Sequence, residues 1–196
     1  MTDVLLFFED AGHQSIIEPL VMRIASESHV VPILHRRTAA GGRSRVVSEL
    51  RAFVRDRQAG VTPQFDLAVV ATDSNCQGAK WRGIIEQILA PVTGAGTPPV
   101  VIVVPNPHVE RWMLVDSHAF RTVFGRGCAA PDTKCEKDRY KKVLANEIRA
   151  SGIEPQLGGI EYGPDVIAGM NLERMITADP SLGAAITDLR HAFQHF

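Results

Sequence analysis

Four short apolar runs separated by amphipathic segments constrain this chain more than any other feature. The runs are Val4-Leu5-Leu6-Phe7-Phe8, Val30-Val31-Pro32-Ile33-Leu34, Leu67-Ala68-Val69-Val70-Ala71 and Val100-Val101-Ile102-Val103-Val104. Continuous apolar runs of this length suit strands covered on both faces. Between them, Gln14 to Glu27 places Ile16, Ile17, Leu20, Val21 and Ile24 at helical spacing, and Arg45 to Arg57 does the same with Val46, Val47, Leu50, Phe53 and Val54. A third helix is expected around Lys80 to Leu89. A β-α-β-α-β-α-β order demands crossover helices, so the expected fold is α/β, with a doubly wound, mainly parallel four-stranded sheet. Pro32 assigns the second strand to an edge or an early strand position.

Beyond Gly125 no strong strand follows, and Asp138 to Ala150, Pro164 to Thr177 and Leu182 to His195 read as helices. One domain is expected over 1–196, with an α/β core over 1–124 and a helical extension over 125–196 that covers the core or offers a partner surface. The chain has a net charge of −1 and a hydrophobic content of 45%. Those values belong to a globular protein rather than to a uniformly basic nucleic-acid binder. No apolar stretch approaches the ~20 residues a membrane span needs. The amino terminus has no basic leader followed by a long apolar stretch. Cys76, Cys128 and Cys135 are odd in number and suit a reducing compartment, so a cytoplasmic location is expected. The glycine-rich fingerprints of dinucleotide and NTP binding are absent.

Ligands of open parallel sheets bind beyond the carboxyl ends of the strands. There the first run is followed by Glu9-Asp10-Ala11-Gly12-His13 and the second by His35-Arg36-Arg37. The third is followed by Thr72-Asp73-Ser74-Asn75 and the fourth by Asn106-Pro107-His108-Val109-Glu110. Carboxylates that converge repel unless a cation lies among them, and oxygen ligands favour Mg²⁺ or Mn²⁺. Helix capping is the competing account of Asp73, and of Asn106 with Pro107 at a first helical position. Glu9 abuts the strand directly and is a poor cap. Between Arg36 and Arg57, seven arginines face two acids, a local excess of five positive charges. Arg36, Arg37 and Arg43 are placed at the acidic end of the sheet, where they would hold phosphates of a nucleic acid. His13 reads as a polar residue at a helix start, with orientation of Glu9 or the substrate as the alternative, and Trp112 as core. Cys128 and Cys135 lack zinc-ligand spacing.

Phe7-Phe8-Glu9-Asp10-Ala11-Gly12-His13 and Val70-Ala71-Thr72-Asp73-Ser74-Asn75 resemble the two acidic motifs of the TOPRIM superfamily of topoisomerases, primases and overcoming-lysogenization-defect nucleases. Glu110-Arg111-Trp112-Met113-Leu114-Val115-Asp116 is similar to the Glu-x-Trp-Leu-Leu-x-Asp segment of small stand-alone TOPRIM-like proteins. Those are often encoded beside OLD-type or SMC-like ATPases in phage-defence loci. Asp179-Pro180-Ser181-Leu182 looks like their tail. The resemblance implies a TOPRIM-like, Rossmann-like fold and divalent-metal-dependent cleavage of phosphodiesters, with Mg²⁺ or Mn²⁺ on Glu9, Asp73, Asn75 and Glu110. Glu9 would serve as general acid/base or as a ligand, and Asp73 as the other catalytic residue. Two positions depart from the pattern: Asp10 replaces the usual glycine, and Asn75 replaces the second aspartate. Asparagine ligates through a neutral carbonyl, which shifts the charge requirement to Glu110 or Asp10. The alternatives are a non-catalytic interaction or regulatory subunit of an ATPase partner, favoured by Asn75, and a nucleotide-binding module.

Overall fold

The computed structural model describes residues 1–38, 42–94 and 96–196. In chain order its elements begin β1 (Thr2–Phe8), α1 (Ala11–Glu27), β2 (Pro32–Thr38), α2 (Arg43–Gln58), β3 (Leu67–Ala71), α3 (Gly78–Leu89) and β4 (Val100–Val103). There follow α4 (Trp112–Val115), α5 (Ser117–Phe124), α6 (Arg139–Arg149), α7 (Gly163–Gly169), α8 (Leu172–Ala178) and α9 (Pro180–Phe193). Short 3-10 turns occupy Ala90–Val92, Val109–Arg111 and Ile160–Tyr162. The four strands form one sheet in the order β2-β1-β3-β4, every pairing parallel. This is the doubly wound α/β fold that the alternation demands.

Successive residues of a strand point to opposite faces, and the core divides accordingly. Val4, Leu6 and Phe8 of β1 join Leu67, Val69 and Ala71 of β3 and Val101 and Val103 of β4 in one buried cluster with α1 and the C-terminal helices. Leu5, Phe7, Ala68, Val70 and Ile102 join the inward residues of α2 and α3 in a second. Residues Leu144, Ile148, Val166, Leu189 and Phe193 belong to the first cluster. The helical extension is therefore a layer of the same core, covering one face of the sheet.

The first crossover steps from β1 outward to β2, and the second returns past β1 to β3. To keep a right-handed crossover, their helices lie on opposite faces. That reversal makes a switch point between the carboxyl ends of β1 and β3, where adjacent loops diverge and leave a crevice.

Three expectations shift. The second strand begins and ends later than its apolar run, so His35, Arg36 and Arg37 lie inside β2, paired with Leu5, Leu6 and Phe7. An edge strand tolerates charged side chains because one side of it faces solvent. The helix read over Pro164 to Thr177 is two helices, since Asn171 adopts extended backbone and caps α8 with its side chain on the Arg174 N–H. Asn106 caps no helix: it enters a cis bond to Pro107, and the next turn begins at Val109. The glycine-bearing loop read from Ala39 to Ser44 lies outside the described residues up to Gly41.

Close helix contact explains one glycine. Pro19 inside α1 has no N–H to give the Ser15 carbonyl. Gly163, opening α7, fits against that carbonyl, where a Cβ would lie 2.5 Å from the oxygen. Trp112 is fully buried, and its indole N–H donates to Ser181 Oγ at 3.0 Å, as a core assignment requires. Asp179 caps α9 through the Ser181 and Leu182 N–H groups and pairs with Arg111.

Candidate metal centre at the switch point

Glu9 follows the last residue of β1, and Thr72 and Asp73 follow the last of β3. Parallel pairing sets Phe8 beside Ala71, so the residues after them are neighbours as well. Glu9 Oε2 accepts from Thr72 Oγ1 at 2.5 Å and from the Asp73 N–H at 3.0 Å. The two acids thus meet at a common rim.

The Asp73 carboxylate is the hub. It does not cap α3, whose N-cap is Gln77. It accepts instead from the Val109 N–H at 2.8 Å and lies 2.9 Å from His108 Nδ1. It therefore fixes the start of the turn that carries Glu110. Ser74 and Asn75 donate their N–H groups to Pro105 and Pro107, and Ser74 Oγ donates to Asn106 Oδ1 at 2.8 Å. The loops after β3 and β4 are zipped together by these bonds. Asp73, His108 and Glu110 each present one ligand atom, all within 4.8 Å of one another.

His13, read as a polar helix start, is 1% exposed. Asp10 caps α1 by accepting both the His13 N–H and, at 2.9 Å, His13 Nδ1. That cap aims the other ring nitrogen at Asp73, with Nε2 3.2 Å from Oδ1. The N–H is not aligned for a proper hydrogen bond there, so the contact is an ion pair. Burial alone would lower the His13 pKa, but the Asp73 charge and the bond to Asp10 outweigh it and raise it to about 10. Burial likewise acts to raise the Asp73 pKa, and the His13 charge and the His108 bond overcome it, leaving Asp73 ionised well below the usual range. The His13 hydrogen bond holds Asp10 down at about 2. The bond to Asp73 raises the His108 pKa. Glu110 moves the other way: it is 5% exposed, and burial followed by the Asp73 charge pushes its pKa up. Its Oε1 lies 3.7 Å from Lys141 Nζ, and its Oε2 is buried without a partner. A buried carboxylate oxygen with no hydrogen-bond partner, beside an acid and an imidazole, could serve as a cation ligand. Asp73, His108 and Glu110 together could hold a metal ion.

Of the other expected ligands, Asn75 is exposed and is held through its backbone at a φ of 44°. Among the described residues no contact joins its side chain to the cluster. Of the expected phosphate-binding arginines, only Arg43 reaches the site, donating from Nη2 to the Asp73 carbonyl at 2.7 Å with its guanidinium 4.2 Å over the Trp81 ring. Arg36 is instead committed to Glu18 of α1 by two bonds of 2.6 Å. Arg37 lines a cavity of about 280 Å³ with Leu5, His35, Thr62 and Phe65. Both lie within β2, near its carboxyl end, rather than in a loop beyond it.

The cysteines also correct an expectation. Cys76, in the loop after β3, is disulfide-bonded to Cys135, leaving Cys128 free and buried. Their separation of 59 residues gave no signal of it, and the cysteine argument for a reducing compartment falls away. Among the described residues no helix is long and apolar enough to cross a membrane.

The His13 pKa makes stability depend on pH. Its folded value lies above the ordinary 6.5, so its contribution is complete below about pH 6.5 and is lost as pH rises toward 10. Asp10, held below the ordinary 3.8, contributes above that value and loses its contribution as pH falls toward 2. Urea unfolding between pH 6.5 and 10 should therefore show falling stability that is smaller in His13→Gln, where the raised His108 still contributes. An equal fall in the variant would contradict the assignment.

Compared with known proteins, the chain matches no family model, no curated protein and no solved structure.

Proposed function

We propose that this chain is a divalent-cation-dependent phosphodiesterase acting on nucleic acid. The single observation that carries the reading is the partnerless buried Oε2 of Glu110 within the Asp73, His108 and Glu110 cluster. Those three residues would hold the ion, which when bound supplies a Lewis acid for the scissile phosphate. An imidazole in the donor set favours Mn²⁺ over Mg²⁺. Glu9, fixed beside Asp73 by Thr72, is placed to accept the proton of an attacking water. Arg43, braced on the Asp73 carbonyl and the Trp81 ring, is the candidate phosphate clamp. The resemblance of the Glu9, Asp73 and Glu110 segments to TOPRIM proteins agrees with phosphodiester chemistry, and their setting in phage-defence loci suggests the biological role.

A second reading is favoured by the cations already in place. His13 pairs with Asp10 and Asp73, His108 with Asp73 and Lys141 with Glu110, all without any metal. On that account the chain is a non-catalytic subunit docking on an ATPase partner. Calorimetric titration with Mn²⁺ separates the two: stoichiometric binding supports the enzyme, and its absence supports the scaffold. Glu9→Gln keeps the shape of the side chain and removes its charge. Nicking of supercoiled plasmid in Mn²⁺ is expected to fall about 100-fold in this variant, in the range a general base contributes. Undiminished nicking would refute the assigned role.

A further inference from the structure

The disulfide joins the two walls of the candidate site. Cys76 lies in the loop that opens with Asp73, and its N–H donates to Ser74 Oγ at 3.0 Å. Asn75 and Cys76 both have positive φ, 44° and 60°, a left-handed conformation that asparagine tolerates and that is uncommon for cysteine. Cys135 lies in the segment before α6, which is anchored by Tyr140. The Tyr140 hydroxyl donates to the Asp132 carbonyl at 2.9 Å and accepts from the Lys134 N–H at 2.8 Å. The Tyr140 ring centre is 5.9 Å from that of His108, and the next residue, Lys141, faces Glu110. The covalent link thus spans from the loop of Asp73 to the segment leading into the helix that touches the other two cluster residues.

We propose that Cys76–Cys135 is a reversible redox latch on this site: oxidised, it holds the Asp73 loop and the α6 wall in register, and reduction by a dithiol releases them and weakens cation binding. The inference rests on the reading of Asp73, His108 and Glu110 as a cation site. Cys135 is exposed and Cys76 half-buried, so a dithiol thiolate attacks Cys135 Sγ. The disulfide breaks with its electron pair leaving on Cys76 Sγ, which takes a proton. The second thiol of the reductant, as thiolate, attacks its own sulfur in the mixed disulfide and releases Cys135, which is protonated in turn. Two electrons and two protons pass to the protein, and the dithiol becomes a disulfide. Cys128, buried with its thiol pushed up to about 11, stays out of the exchange.

The test compares the full chain, oxidised and then reduced with dithiothreitol, by Mn²⁺ calorimetry and by amide hydrogen exchange, with thiol counting to verify each state. Reduction is expected to weaken Mn²⁺ binding about tenfold, the lower end of what loss of a supporting contact costs a metal site. Exchange should quicken over 73–77 and 130–137 while the β1 and β3 amides stay protected. Equal affinity and equal exchange in both states would overturn the latch, as would failure of Cys76 and Cys135 to cross-link in oxidised protein. Faster exchange on reduction with no Mn²⁺ bound in either state would uphold the latch and refute the cation site. The paired Cys76→Ser and Cys135→Ser variant should behave as the reduced protein does.

Discussion

Asp73→Asn is expected to reduce Mn²⁺ affinity by about 100-fold or more and to bring cleavage to background, the effect of removing the carboxylate around which the other ligands are arranged. Asp73 places its partners as well as holding an ion. The Val109 N–H donates to it, and His108 and His13 flank it at 2.9 and 3.2 Å. Asparagine can still accept from Val109, so the turn carrying Glu110 should survive. It cannot compensate His13, whose pKa should fall from about 10 toward the ordinary imidazole range as the opposing charge disappears. An NMR titration of the ring reads that fall directly, and calorimetry reads the ion. A variant whose histidine titration moves while its Mn²⁺ affinity does not would assign Asp73 to structure alone.

Asp116→Ala should cost about 3–5 kcal/mol of folding stability, the penalty for stripping a buried hydrogen-bonded charge of its place. For a chain of this size that is a fall in Tm of about 10 °C. Asp116 is 1% exposed, and its carboxylate accepts from the N–H groups of His118, Ala119 and Asn171 at 3.1, 3.3 and 2.9 Å. Arg174 adds a bond of 2.6 Å. The one carboxylate therefore caps α5 and fastens it to the entry of α8. Burial alone would raise its pKa, and the backbone donors with Arg174 hold it low instead. Most of the loss comes from three N–H groups left without an acceptor, since the Arg174 side chain is half exposed and water can serve it. Mn²⁺ stoichiometry measured well below Tm should be unchanged. A loss of binding in folded Asp116→Ala would mean that the helical layer is coupled to the site.

Glu110 and Asp116 are the two acids of a segment that reads as one motif. Across Glu110-Arg111-Trp112-Met113-Leu114-Val115-Asp116, Glu110 faces the cluster, Trp112 fills the core and Asp116 staples two helices. A sequence pattern marks all three as special without telling an acid that meets a cation from an acid that caps a helix. The difference lies in what surrounds each. Asp116 is saturated with donors, and Glu110 has an oxygen with none.

The alternation of apolar runs was enough to specify a parallel sheet wound on both faces, because continuous hydrophobic strands must be covered on both sides and crossovers have one hand. It also placed Glu9 and Asp73 at strand ends, and the strand order then brought those ends together. Period and hydrophobicity are local properties, and the chain carries them openly. Partner choice is not local. That Arg36 is spent on Glu18, that His13 is buried between Asp10 and Asp73, and that Cys76 finds Cys135 across 59 residues are outcomes of packing. They depend on which loops the core brings within a few ångströms, where burial turns an ordinary histidine or carboxylate into one whose charge is set by its neighbours.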